Sequence, residues 1–191
     1  MWLQTDMPMA SGSIRLAVLL LGLSLTGCGF QLRGSVGVSE ALQPLRVECQ
    51  PPSPQLLCDA LTGQLQASGI RLTDQQQAAT LKLSGFRQER RANAITARAS
   101  AEEFTIRQTV NVGVISANQV PLLAPDKVSA TDTLRWDETN VLAKRREEQM
   151  LLEEISQRLA QQILFRLAPL NTTRIEAMEA AYRHSGTDPT P

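Results

Sequence analysis

Basic side chains gather in two parts of this sequence, one beside the predicted middle strands and one at the start of a predicted long helix. The two groups are Arg87, Arg90, Arg91 and Arg98, and Lys144, Arg145 and Arg146. Cations at a helix N-terminus oppose the helix dipole, so the second group breaks a local rule without local compensation. Guanidinium and ammonium groups bind phosphate and carboxylate, which suits both groups to a phosphorylated or carboxylated amphiphile. The same residues also suit a solvated, self-neutralising surface, and the residues alone favour that interpretation.

The adjacent pairs of acidic residues do not form a catalytic pair. These pairs are Glu102-Glu103, Glu147-Glu148 and Glu153-Glu154, and neighbouring side chains point apart on a strand or a helix. The sequence has no phosphate-binding glycine loop and no serine in a nucleophile-elbow context. His184 is the only histidine and lies in the polar tail, which excludes a His-rich metal site and a buried His-dependent triad. We therefore predict a protein that is not an enzyme, uses no cofactor and holds no metal ion.

The residues before Cys28 have the pattern of a secretory leader. Arg15 gives the positive start, the apolar run Leu16–Leu25 follows, and small residues precede the cysteine. The run is too short to span a bilayer, which takes about 20 apolar residues. Leu25-Thr26-Gly27-Cys28 looks like a lipobox, the pattern at which bacterial lipoproteins are cleaved and acylated on the cysteine. The alternative is an ordinary leader that contains a cysteine.

Acylation would make Cys28 the first residue of the mature protein. The acyl chains, palmitate among them, would hold it to a membrane at about 0.8 kcal/mol per buried CH₂, so several chains anchor stably. Gly29 follows the cysteine, where many bacterial lipoproteins kept at the inner membrane have aspartate. We therefore expect the periplasmic side of the outer membrane. Met7 and Met9 are alternative first residues of the leader.

Two further cysteines, Cys49 and Cys58, remain after acylation. Because the periplasm is oxidising, the pair predicts a disulfide before it predicts a metal site. The chain-entropy estimate for so short a loop is about 2.5–3 kcal/mol, and the bond requires Cα atoms within about 7 Å of each other. The alternative is two buried thiols that pack as small apolar groups.

The elements that must position these residues alternate in a simple order. In chain order, the patterns predict a strand from Leu45, a helix from Pro54 to Ser68, strands over Thr80–Arg87, Phe104–Ser116 and Lys127–Trp136, with a turn at Val120–Pro125, and a helix over Val141–Leu167. The long first crossover makes the first two strands parallel, and the short later connections are antiparallel. Polar residues on one face of the long strands indicate that helices cover only the other. We predict an α+β fold: a single domain with a mixed four-stranded sheet, two α-helices packed on one face, and the order β-α-β-β-β-α.

The predicted organisation divides the chain into four parts. Residues 1–27 are the signal peptide, 28–43 the acylated N-terminus and tether, 44–170 the α+β domain and 171–191 a disordered polar tail. Lysine plus arginine and aspartate plus glutamate number 19 each. A chain with no net charge lacks a global basic field, which argues against nucleic acid as a partner.

The mature N-terminus, Cys28-Gly29-Phe30-Gln31-Leu32-Arg33, resembles that of the LPS-assembly lipoprotein LptE family of Gram-negative bacteria. The shared pattern is Cys-Gly, an aromatic residue, one variable residue and Leu-Arg. Thr109-Val110-Asn111, followed by apolar alternation, is similar to the central strand of that family. The last helix is also similar, with Lys144 near its start and an ending over Ile163–Pro169. The resemblance covers roughly Cys28 to Leu170.

The resemblance implies a plug inside LptD, the outer-membrane β-barrel of the translocon for lipopolysaccharide (LPS). Family members help that barrel assemble and bind LPS during its delivery to the cell surface. Lys144 matches a basic position implicated in contacting lipid A, through its Ala143-Lys144 context. On the strand side the match falls at Ala97, which leaves Arg98 as a neighbour. The candidate LPS-binding residues are therefore Lys144, Arg98, Arg91 and Arg145.

The partners expected from the resemblance are the LptD barrel, LPS and a membrane reached through acyl chains, with the domain in the barrel lumen. Cys49 and Cys58 match no motif of the family, so the predicted disulfide is a local feature of this chain. The alternatives are an auxiliary lipoprotein of a lipid-transport ABC system and a pilotin that escorts a secretin to the outer membrane.

Overall fold

A computed structural model describes residues 38–95, 101–136 and 140–185. Its elements, in chain order, are a 3₁₀ turn Glu40–Leu42, β1 Leu45–Cys49, α1 Gln55–Ala67, β2 Ala79–Ile95, β3 Ala101–Ile115, β4 Pro121–Arg135, α2 Val141–Leu167 and α3 Thr172–Ser185. The strands form one sheet in the order β1-β2-β3-β4. Strand β1 runs parallel to β2, and the other neighbours are antiparallel. The predicted fold class, including the mixed four-stranded sheet, is confirmed.

One hydrophobic core joins α1 and α2 to a single face of the sheet. The helical spacing of leucines and isoleucines places an apolar stripe on each helix. Side chains in this core with no exposed surface include Leu57, Leu61 and Leu65 of α1, Ile155, Leu159 and Ile163 of α2, and Leu81, Leu83, Val110 and Leu134 of the sheet. Alternation along the strands therefore turns the intervening polar residues to the opposite face.

A bulge at Gly85 changes which residues of β2 face the helices. Leu83 pairs with Val112 on the core face, but the register shifts between Ser84 and Arg87. Beyond the shift, Arg90 pairs with Ile106, which is fully buried. Two residues of β2 thus oppose one residue of β3. Odd-numbered residues of β2 face the helices before the bulge, and even-numbered residues face them after it. The bulge therefore places Arg90 on the helix-covered face of the sheet.

Replacing Gly85 by alanine should lower the free energy of unfolding by about 1–2 kcal/mol, because a residue with a Cβ is strained in the left-handed region. Gly85 has φ +59°, and an added Cβ would lie 2.6 Å from Nδ2 of Asn111. The matched control is Gly63→Ala, at an exposed helical position with no atom within 4 Å of the new Cβ. That change should stabilise by about 0.5–1 kcal/mol. Urea unfolding measures both, and a Gly85→Ala protein as stable as wild type would contradict the strained bulge.

The domain begins earlier than predicted, within the proposed tether 28–43. Val38 and Leu42 are 6% and 1% exposed and belong to the hydrophobic core. Ser39 caps the 3₁₀ turn by accepting a hydrogen bond from the backbone N–H of Ala41 at 3.2 Å. The sequence did not indicate this segment, because a single 3₁₀ turn is too short to show a periodic pattern of apolar residues. The tether prediction is therefore wrong for residues 38–43.

The prediction of a disordered tail is wrong for Thr172–Ser185, which forms α3. Ile175 is its one buried residue, and Asn118 donates a hydrogen bond from Nδ2 to Glu179 at 3.1 Å. The mostly polar composition of this segment did not indicate a helix, because few of its side chains, Ile175 and half-buried Met178 among them, pack against the core. Residues 186–191 lie outside the described residues.

The strand bounds also differ from prediction. The proposed turn at Val120–Pro125 is wrong, since β4 begins at Pro121. The turn precedes this strand, and the backbone N–H of Ser116 donates a hydrogen bond to the carbonyl of Val120 across it at 2.8 Å. Strand β2 continues to Ile95, well past the predicted end at Arg87. Strands β2, β3 and β4 are consequently much longer than β1, and α2 covers their extension.

Cys49 and Cys58 form a disulfide with Cα atoms 6.4 Å apart. The bond joins the end of β1 to the first turn of α1 across the proline-rich connection. Separately, none of the helices in the described part of the chain has the length and apolar character needed to cross a membrane.

Candidate functional site

The first turns of α2 carry charged residues on the stripe that elsewhere builds the core. Asn140 caps the helix by accepting a hydrogen bond from the N–H of Ala143 at 3.3 Å. Counting back from buried Ile155 in helical steps reaches Glu148 and then Lys144, so both lie on the inward side. The Lys144 side chain is only 19% exposed and the Glu148 side chain 24%. The helix thus directs a cation and a carboxylate toward the sheet.

Arg90 of β2 meets this part of α2 from the sheet. Its Nη1 lies 3.1 Å from Oε1 of Glu148. Its guanidinium carbon lies 3.9 Å from the ring centroid of Phe104 and 5.4 Å from that of Trp136, both within cation–π range. The guanidinium therefore pairs with a carboxylate and also contacts two aromatic rings.

Lys144 is held by its own helix. Its Nζ lies 2.7 Å from Oε2 of Glu147, one turn further along. We call the set Arg90, Phe104, Trp136, Lys144, Glu147 and Glu148 the charged seam. It joins two cations, two carboxylates and two aromatic rings where α2 crosses the extended strands. Val141 and Leu142 are exposed at the start of the same helix, so apolar surface adjoins the cations.

The remaining candidate residues do not join Lys144 in one cluster. Arg91 follows Arg90 on β2 and so lies on the opposite face of the sheet, where it pairs loosely with Glu89 at 3.8 Å. Arg145 is exposed on α2. Arg98 and Cys28 lie outside the described residues. Sequence reasoning grouped Arg90 with Arg91, whereas strand alternation separates them, and the bulge decides which one faces α2.

Further along α2, other arginines tie the helix to the edge strand β4. Arg158 donates to the carbonyl of Thr131 at 2.9 Å and to Asp132 at 3.0 Å. The hydrogen bond with Asp132 is the main cause that raises the pKa of Arg158, against an opposing effect of burial. Arg166 pairs with Asp126 nearer the end of the helix. These contacts hold α2 against the sheet along its length.

The face of the sheet opposite α1 and α2 is polar and is here named the open sheet face. Its charged residues are Arg46, Lys82, Arg87, Arg91, Arg107, Lys127 and Arg135, against Glu48, Glu89 and Glu103. Threonine and serine side chains fill the positions between them, as at Thr105, Thr131 and Ser129. Cations exceed carboxylates on this face, although the whole chain has no net charge. The face therefore offers many hydrogen-bond donors and a positive potential.

Shallow hollows on the open sheet face are lined by these polar residues. One, of about 120 Å³, lies between Glu89, Arg91, Thr105 and Arg107. A second, of about 300 Å³, is lined by Arg46, Glu48, Gln76, Thr80, Lys82, Ile115 and Gln119. In the part of the chain that the structure describes, no group of His, Cys, Asp or Glu side chains is placed to hold a metal ion.

Glu48 in the second hollow should give the protein a small acid sensitivity. A hydrogen bond from Gln50 lowers the pKa of Glu48, burial opposes it, and Arg46 and Lys82 lower it further. A carboxylate with a depressed folded-state pKa stabilises the fold above its unfolded value and loses that contribution as pH falls through the folded value. Below about pH 4, Glu48→Gln should therefore lose less stability than wild type, relative to pH 7. Parallel urea unfolding at pH 7 and pH 3 measures this, and identical losses would contradict it.

The sequence of this chain is similar to proteins of one family. The model of the LptE family, described as lipopolysaccharide-assembly, matches residues 42–167. The LPS-assembly lipoprotein LptE of Yersinia enterocolitica is 27% identical over 168 residues, covering 85% of this chain and 80% of the relative. The protein of the same name from Yersinia pestis is 26% identical over the same length and shares of both chains.

Solved structures share the fold. The rare lipoprotein B from Shewanella oneidensis superposes with a TM-score of 0.56 at 20% identity, covering 65% of this chain and 93% of that one. A minor lipoprotein from Acinetobacter baumannii gives 0.55 at 21% identity, covering 65% and 90%. At these identities the likeness shows the fold alone. The matched family region ends at 167, so α3 follows it.

Proposed function

Because the chain belongs to the lipopolysaccharide-assembly LptE family, we propose that it plugs and helps assemble the LptD β-barrel and binds LPS during delivery to the cell surface. The general role, a non-enzymatic lipoprotein of LPS assembly, follows from the family itself. The family match over residues 42–167 is the observation that carries the proposal.

The open sheet face supports the plug. The lumen of an outer-membrane barrel is polar, so a plug must present hydrogen-bonding groups rather than an apolar patch. Arginine, threonine and serine side chains on the long strands provide such groups over a broad surface. Interfaces carry about one hydrogen bond per 100–200 Å², which a surface of this composition can supply. The arginine–carboxylate contacts between α2 and β4 would keep that surface rigid.

The charged seam supports LPS binding. Lipid A combines phosphate groups with acyl chains, and the seam combines cations with aromatic rings beside exposed Val141 and Leu142. Lys144 is the leading candidate for a phosphate. Arg145, the next residue of α2, is exposed and would act outside the charged seam. Arg91, on the open sheet face, would act at a separate place. Arg98 remains a candidate from the sequence.

The membrane anchor completes the proposal. Acylation of Cys28 would attach the protein to the inner leaflet of the outer membrane. The residues from Cys28 to the first described residue, Val38, reach at most about 35 Å when fully extended. The anchored domain would therefore stay within that distance of the membrane surface, as a plug in a barrel of the same membrane must.

Titration of the mature protein in mild detergent with fluorescently labelled LPS tests the ligand. Dephosphorylated LPS and phosphatidylglycerol serve as comparison ligands. We expect saturable binding of LPS, weaker binding of the dephosphorylated form and little binding of phosphatidylglycerol. LPS binding no stronger than that of phosphatidylglycerol would contradict the proposal and favour a carrier of other lipids.

A further inference from the structure

Two carboxylates of α2 are within reach of the Lys144 ammonium, and they differ in their present partners. Glu147, three residues ahead, holds it at 2.7 Å and is itself 46% exposed. Glu148, four residues ahead, is 24% exposed and is occupied by Arg90 of the sheet at 3.1 Å. A pair four residues apart on a helix is close enough to form an ion pair. Glu148 would therefore be a second partner for Lys144 if Arg90 were absent.

The side chain of Arg90 is positioned by several contacts to pair with Glu148. The bulge at Gly85 turns it toward α2, and the rings of Phe104 and Trp136 lie over its guanidinium. Glu148 is 24% exposed, so water solvates its carboxylate incompletely, and a nearby cation would stabilise it if Arg90 were absent. On α2, the nearest inward cation is Lys144.

We propose that Arg90 is a positioning residue for LPS binding: by occupying Glu148, it prevents a second carboxylate from neutralising Lys144. The inference rests on the proposed function, because it concerns the cation that would meet an LPS phosphate. With Arg90 in place, Glu147 is the one carboxylate among the described residues that pairs with Lys144, and a partly exposed ion pair is worth little. Without Arg90, Lys144 would have to leave two carboxylates before it could bind phosphate.

The test compares Arg90→Gln, Glu148→Gln and the double variant in the LPS titration. Arg90→Gln should weaken binding about fivefold, the size of one partly exposed ion pair. The double variant should return to within about twofold of wild type, because the competing carboxylate is gone and the net charge equals that of wild type. Arg174→Gln, on exposed α3, removes the same charge elsewhere and should bind as wild type does.

Fluorescence of Trp136, the single tryptophan after the leader, and thermal unfolding report whether the seam stays folded in each variant. Rescue by the second change supports the inference when these readings show that Arg90→Gln is still folded, because removing Glu148 would also restore a fold lost to an unpaired carboxylate. A direct contact between Arg90 and LPS would not be restored by it. A double variant as weak as Arg90→Gln, or an Arg90→Gln protein that binds like wild type, would overturn the inference alone. Failure of the wild-type protein to bind LPS would overturn the proposed function, and the inference with it.

Discussion

Reversing the charge of Lys144 should weaken LPS binding at least about tenfold, since a charged hydrogen bond contributes about 1.5–3 kcal/mol. The protein should remain folded. Lys144→Glu removes the proposed phosphate ligand and places a third carboxylate beside Glu147 and Glu148. Repulsion of lipid A phosphate then adds to the lost attraction. The measurement is the titration with labelled LPS, with the thermal unfolding midpoint recorded for each variant.

Two controls separate the site from general electrostatics. Lys144→Arg keeps the charge and should retain most of the binding. Arg174→Glu makes the same charge reversal on the exposed surface of α3, and LPS binding should change little. If Lys144→Glu binds LPS as tightly as wild type, Lys144 is not part of the LPS site.

Removing the disulfide by the paired change Cys49→Ala and Cys58→Ala should lower the free energy of unfolding by about 2.5–3 kcal/mol. The bond closes a short loop and restricts the unfolded chain, and it also fixes the start of α1 to the end of β1. Urea unfolding of wild type and the double variant, each with and without reductant, measures the effect. Reductant should destabilise wild type to the level of the double variant and leave that variant unchanged. A wild-type protein indifferent to reductant would contradict this role of the bond.

Much of the fold could be predicted because its core follows simple periodicities. Strand β3 shows clear alternation, and α2 begins and ends at the predicted residues Val141 and Leu167. The alternation predicted β2 only as far as Arg87, because the bulge at Gly85 inverts the alternation within a single strand. Beyond it, the core-facing position holds Arg90 rather than an apolar residue. A period of two carried across the bulge assigns the wrong face to Arg87 and the residues after it, as far as the next register shift beyond Ala92.

The site was less predictable than the fold, because its side chains are charged yet directed inward. The first turns of α2 place Glu148 and Lys144, not apolar residues, on the side that faces the sheet. The carboxylate of Glu148 can face the sheet because Arg90 of β2 pairs with it, and the rings of Phe104 and Trp136 contact the Arg90 guanidinium. Pairing between residues so distant in sequence depends on strand register, which composition and local spacing do not specify.

Affinity purification of the tagged, acylated protein in mild detergent, with its partner identified by mass, tests the plug most directly. We predict a stoichiometric outer-membrane β-barrel of the LptD type that stays bound in high salt, because the interface would consist of many hydrogen bonds enclosed by the lumen. Recovery of the lipoprotein alone would contradict the plug. An inner-membrane ATPase complex as partner would instead indicate a lipid-transport accessory protein, and a secretin would indicate a pilotin.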